Sequence, residues 1–249
     1  MTNQYSPSEE SSAPVLTVIQ HEGNVSLDQF EQWLDGVQVR VVRADRGESL
    51  PGAEETDGLL VLGGTMSAYD DAVAPWLPAV RALMADAVER DVPVLGICLG
   101  AQLLAVATGG RVEVDAPVGH ENGVIQVRLR PDAARDPVLG GVVTALGRTV
   151  AAPSMHGDAV TALPDGGTWL ASSAQYPFQA FRIGSALGLQ FHPEAGADLL
   201  AEWAGSHEDL DADAIRADYA SSADDLATLA REIAEGFAAQ VRRADVRIG

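Results

Sequence analysis

The chain has 249 residues, 47% of them hydrophobic, with 36 acidic against 16 basic side chains and a formal net charge of −20. That length and apolar content suffice to bury the core of one α/β domain, with residues left over for a helical appendage. A surface this acidic repels phosphate backbones and anionic lipid, so neither nucleic acid nor membrane is expected as a partner.

Every basic residue is an arginine, and lysine is absent. A Walker loop and a Schiff-base enzyme both require that amine, so neither chemistry is expected here. The single cysteine, Cys98, excludes an internal disulfide and suits a reducing compartment. No apolar run approaches the roughly 20 residues that span a bilayer. Residues 1–13 are polar, rich in Ser and Glu, and lack the basic and apolar regions of a signal peptide. They read as a disordered tail, and the whole as a cytoplasmic protein.

In chain order, Val15 to Ile19 reads as a first strand, followed by a helical pattern from Leu27 to Leu34. Val37 to Val42 and Leu59 to Leu62 read as further strands, the second running straight into the pair Gly63-Gly64. Trp76 to Val88 has helical spacing through Leu77, Val80, Leu83, Met84 and Val88. Strands alternating with helices imply right-handed crossovers and a mostly parallel, doubly wound sheet. In such sheets ligands gather beyond the carboxyl ends of the strands.

The next strand, Val92 to Ile97, ends in Gly96-Ile97-Cys98-Leu99-Gly100, and helix-favouring residues follow. This is the glycine-x-nucleophile-x-glycine pattern of an elbow, which raises one side chain above a strand-to-helix turn. At a helix start the thiol also meets unpaired N–H groups and the positive dipole end, both of which favour thiolate. A lone cysteine can equally be a small buried core residue, so the elbow alone decides nothing.

From Arg111 to Leu129, and again from Trp169 to Phe191, short strands with polar breaks predict an antiparallel extension. Leu187 to Phe191 then leads into His192-Pro193-Glu194. Residues two apart on extended backbone share a side, and Pro193 biases His192 away from the helical region. Glu194 can therefore accept the Nδ1–H of His192 and leave the other ring nitrogen to take a proton from a thiol. Beyond Glu194 the chain turns helical and acidic. Leu226, Leu229, Ile233, Phe237 and Val241 line one helix face behind Ser222, which predicts a helix packed on the domain.

Gly96-Ile97-Cys98-Leu99-Gly100-Ala101-Gln102, Phe191-His192-Pro193-Glu194 and the loop Leu60 to Asp71 stand in an order that resembles the class I (triad-type) glutamine amidotransferases. The resemblance covers roughly residues 14–205. It implies a flavodoxin-like fold, leaving 206–249 as a C-terminal helical extension. It implies Cys98, His192 and Glu194 as catalytic residues and the backbone N–H groups of Gly64 and Leu99 as an oxyanion hole. It further implies Gly63, Gln102 and His156, the last in Ser154-Met155-His156-Gly157-Asp158, as substrate-binding residues. Thr65 departs from the proline that often follows the glycine pair. No metal or cofactor is expected.

Three functions fit this reading. The first is a glutaminase that passes ammonia to a separate synthase or ligase chain. The second is a free-standing hydrolase of γ-glutamyl amides or peptides that uses the same residues. The third is a non-catalytic interaction protein that retains the fold. The complete set of Cys98, His192 and Glu194 argues against the third.

Overall fold

Four short apolar segments form the middle of the molecule. The computed structural model describes residues 13–245. In it, β1 (Val15–Gln20), β3 (Gly58–Val61), β4 (Val94–Ile97) and β11 (Ala186–Leu189) are buried along almost their whole length. Strands covered on both faces need no polar alternation, which explains their continuous apolar sequences. With β2 (Gln38–Arg43) at the edge, they form a parallel array ordered β2-β1-β3-β4-β11. The sheet continues antiparallel through β10 (Ala180–Ile183), β9 (Thr168–Ser172), β6 (Glu121–Leu129) and β7 (Thr149–His156), nine strands among the described residues. β5 (Arg111–Glu113) and β8 (Ala159–Ala162) pair separately. The doubly wound, mostly parallel sheet with an antiparallel extension is thus the fold observed.

Two apolar cores lie on opposite faces of this sheet. On one, α1 (Leu77–Glu89) and α2 (Leu99–Ala107) bury Leu77, Val80, Met84, Leu103 and Leu104. On the other pack α3 (Leu139–Leu146), α4 (Ala197–Ala204), α5 (Ala212–Ser221) and α6 (Ala223–Asp245). Leu226, Leu229, Ile233, Phe237 and Val241 of α6 are all essentially inaccessible to solvent. Burying each such side chain contributes about 1.5–3 kcal/mol, so this helix is part of the core's structure. Asp224 and Asp225 in its first turn and Arg242 and Arg243 in its last complement the helix dipole. Among the described residues, no helix is long and apolar enough to cross a membrane. Apart from Ala13, the expected N-terminal tail lies outside the described residues.

One expected helix is absent. Leu27 to Leu34 contains only a 3-10 turn, Asp28–Gln32. Asp28 takes a positive φ of 41° and accepts a hydrogen bond from the Gly196 N–H, while the Gln29 N–H donates to the Glu194 carbonyl. The positive φ at Asp28 lies outside the helical region, and the Asp28 carboxylate and Gln29 N–H fix the turn against the loop after β11. The periodic Leu27, Phe30 and Leu34 are nonetheless buried, so the spacing reported burial without reporting a helix. Residues 154–156, which resemble a loop motif, lie at the end of β7. Pro153 is tolerated there because β7 is the last strand of the sheet.

Candidate active site

Because β1, β3, β4 and β11 run parallel, the segments that follow them emerge at one sheet edge. Those segments carry His21 to Asn24, Gly63-Gly64, Cys98 and Gln190 to Glu194. A cavity of about 330 Å³ opens at this edge. Its wall includes Gly64, Cys98, Gln102, His156 and His192, five of the residues singled out by sequence.

Cys98 caps α2 with φ 51° and ψ −108°, a conformation in which an L residue is strained. The turn is held on both sides. The Cys98 N–H donates to the Leu189 carbonyl at 2.8 Å, and its carbonyl accepts the first helical bond from Gln102 at 3.0 Å. A side chain at Gly100 would place its Cβ 2.0 Å from the Val61 carbonyl oxygen, so that position must be glycine for α2 to lie against β3. Leu99 is the first residue of α2, and first-turn N–H groups have no acceptor within the helix. Its side chain is buried in the core that α1 and α2 share.

His192 Nδ1 lies 2.7 Å from Glu194 Oε1, and both residues are buried. The other Glu194 oxygen has no hydrogen-bond partner among the described residues, so the carboxylate is committed to the imidazole. The His192 N–H donates to the Pro153 carbonyl, which ties this loop to β7. The Trp203 ring packs on the imidazole at 4.7 Å between centroids, and its indole N–H donates to the Asn24 carbonyl. Burial opposes charge on His192. The Glu194 carboxylate and the Cys98 sulfur outweigh it and raise the imidazole to about 10. Gly63 lies behind the cavity wall, where a Cβ would meet His192 Cε1 at 2.9 Å and Cys98 Cβ at 3.5 Å. The thiol and the imidazole therefore converge around one backbone position.

The loop after the glycine pair is tied down by Thr65. Its N–H donates to Glu22 Oε1 at 3.0 Å, and its hydroxyl bonds the same oxygen. Two donors thus hold the segment where a proline would stiffen it. On the far wall, the His156 Nδ1 faces the Asp158 carbonyl at 2.9 Å, and its Nε2 lies 3.4 Å from the buried Glu121 carboxylate. Gln102 lines the cavity, but its amide nitrogen faces the Asp158 carbonyl and Gln190.

Several participants were not singled out by sequence. Asn24, Val25, Trp203 and Ser206 complete the wall around His192, and no local pattern connects segments so far apart in the chain. Gln190 was more accessible, since it lies two residues before His192 on the same extended segment. His120 and His207 also line the cavity, whereas His21 is fully buried. Among the described residues, no cluster of His, Cys, Asp and Glu could hold a metal ion.

With this geometry in view, comparisons with known proteins agree with one another. The family model described as Glutamine amidotransferase class-I matches residues 31–199. A GMP synthase [glutamine-hydrolyzing] of Thermomicrobium roseum is 38% identical over 138 residues, 55% of this chain and 23% of that protein. A GMP synthase [glutamine-hydrolyzing] subunit from Methanosarcina mazei is 34% identical over 144 residues, 57% of this chain and 66% of that one. The first of these alignments spans about a quarter of the longer relative's length. A glutamine amidotransferase structure from Thermotoga maritima superposes with a TM-score of 0.79 at 26% identity, covering 91% of this chain and 98% of that one. One from Methylobacillus flagellatus gives 0.76 at 27% identity, covering 92% and 96%.

Proposed function

The chain belongs to the class-I glutamine amidotransferase family, and from that premise we propose that it hydrolyses the side-chain amide of glutamine and supplies the ammonia to a synthase on another chain. The Cys98 thiolate attacks the amide carbon, and the carbonyl electrons move onto oxygen. The Gly64 and Leu99 N–H groups receive that oxyanion. The tetrahedral intermediate collapses as the carbon–nitrogen bond breaks, with His192 protonating the departing ammonia. A γ-glutamyl thioester remains on Cys98. His192 then takes a proton from water as the water attacks the thioester carbon. Glutamate leaves and the thiolate returns, its proton balance restored through the imidazole. Glu194 orients His192 and offsets its charge during both steps.

The observation that carries this reading is the convergence of Cys98 and the Glu194-bonded His192 around Gly63, in the wall of a single cavity. The synthase partner is supported by relatives named GMP synthase [glutamine-hydrolyzing], one of which is named as a subunit and is matched over 66% of its length. The test measures ammonia release from glutamine, with intact mass used to trap a glutamyl adduct on Cys98. Release by the wild-type chain, its loss in Cys98→Ala and an increase on adding the cognate synthase are the expected results. Unimpaired release by Cys98→Ala removes the thiol from the mechanism.

A further inference from the structure

Two primary amides are buried beneath the nucleophile. Gln102 and Gln190 are each only 2% exposed. Burying such groups is costly unless their hydrogen bonds are made, and an aliphatic pair would fill the space without that cost. Their bonds form a directed chain. Gln102 Nε2 donates to the Asp158 carbonyl at 3.1 Å and lies 3.4 Å from Gln190 Oε1. With its oxygen facing that donor, Gln190 turns its own nitrogen toward Cys98 Sγ, 3.8 Å away. The main chain holds it there, since the Gln190 N–H donates to the Gln179 carbonyl at 2.9 Å.

The sulfur has a second contact with the opposite preference. The Met155 carbonyl oxygen lies 3.9 Å away and can only accept, so it suits a protonated thiol. The Gln190 amide donates, so it suits the thiolate. Gln190 does not reach the cavity wall, unlike Gln102, and touches the chemistry only through the sulfur.

We propose that Gln190 is a positioning residue that holds Cys98 in its reactive form, its amide nitrogen donating to the thiolate because Gln102 occupies its oxygen. This rests on Cys98 being the nucleophile but not on which γ-glutamyl amide is cleaved. The other titratable groups around the site are His192 with Glu194 behind it, His156 with Glu121 behind it, and Asp115, His120, Asp158 and His207 in the cavity wall; among the described residues the Gln190 side chain is bonded to Gln102 and Cys98 and to none of these.

Cys98 is the only cysteine, so alkylation by iodoacetamide reports this one thiol without background. The test is the pH dependence of that rate in the wild type and in Gln190→Met, which keeps the length of the side chain and removes the donor. Losing a hydrogen bond to a charged group should move the profile about one pH unit upward, with circular dichroism unchanged. Glutamine kcat should fall at neutral pH, by at most about tenfold for a shift of that size, with KM little altered. An unmoved alkylation profile overturns the proposal, even if kcat falls, because packing alone would explain that. If Gln190→Met does not fold, Gln102→Leu decides: it frees the Gln190 amide to turn and should shift the profile in the same direction by less. No shift there also overturns it. Alkylation needs no substrate, so a wild type that ignores glutamine would refute the proposed function while leaving this test intact.

Discussion

His192 Nδ1 and Glu194 Oε1 sit 2.7 Å apart across a single proline, both residues buried. A buried carboxylate at that distance fixes the tautomer of the ring and leaves Nε2 for proton transfer. Glu194→Gln retains the shape and one hydrogen bond but removes the charge. The expected outcome is a fall in kcat of roughly two to four orders of magnitude by analogy with other triad orienters, with KM nearly constant. Steady-state ammonia release checks this, and a loss of only a few-fold would reduce Glu194 to scaffold.

The same pair makes a prediction about stability. His192 is raised from its ordinary value to about 10, so the folded state holds its proton more tightly than the unfolded chain does. That stabilisation is fully present below pH 6.5 and disappears as pH climbs toward 10. Urea unfolding of the wild type and Glu194→Gln at pH 6.5, 8 and 10 should show the gap between them shrinking as pH rises. A constant gap would mean that the carboxylate does not hold the imidazolium.

The strained backbone at Cys98 inverts an ordinary rule. Glycine in place of alanine normally costs about 0.5–1 kcal/mol through unfolded-chain entropy. At Cys98, with φ 51° and ψ −108°, a side chain carries strain of about 1–3 kcal/mol that glycine relieves. Cys98→Ala should fold but be inactive, and Cys98→Gly should match or exceed its stability. Denaturant unfolding of the two variants tests this, and a clearly less stable glycine variant would show that the elbow is unstrained.

How far these features could be read in advance depends on how local their causes are. The four central strands were legible because a strand buried on both faces must be apolar throughout, as in Leu59-Leu60-Val61. The elbow was legible because Gly96 and Gly100 flank Cys98 within five residues. The stretch from Leu27 to Leu34 misled because periodic apolar residues report which side is buried, while hydrogen bonds from Gly196 and to Glu194 decided its backbone. Trp203 and Asn24 could not be placed beside His192 from sequence, since only the sheet topology joins segments 179 residues apart.

Gly63 should be as intolerant as the polar residues it separates. A Cβ there would lie 2.9 Å from His192 Cε1, closer than real side chains approach. The imidazole cannot yield easily, being held by Glu194 on one side and packed against Trp203 on another. Gly63→Ala should therefore lower kcat by at least about a hundredfold, since displacements near 1 Å cost that much in an aligned site. Thermal stability should fall much less. Full activity in this variant would show that the ring has room to move.

His21 should govern part of the acid response without touching the substrate. It is fully buried behind Gly64, and its Nδ1 accepts the Trp76 indole N–H at 3.0 Å. Burial lowers it to about 4, against a smaller opposing pull from Asp45. Between pH 6.5 and 4 the unfolded chain therefore binds a proton that the folded one refuses, and stability drops as pH falls, by up to about 1.4 kcal/mol per pH unit from this group. His21→Asn keeps an acceptor for the indole and cannot titrate. Its unfolding free energy should decline less steeply than that of the wild type across this window, while the two slopes agree above pH 7. Identical slopes throughout would mean that the buried imidazole is protonated without penalty, and that Trp76 does not hold it neutral.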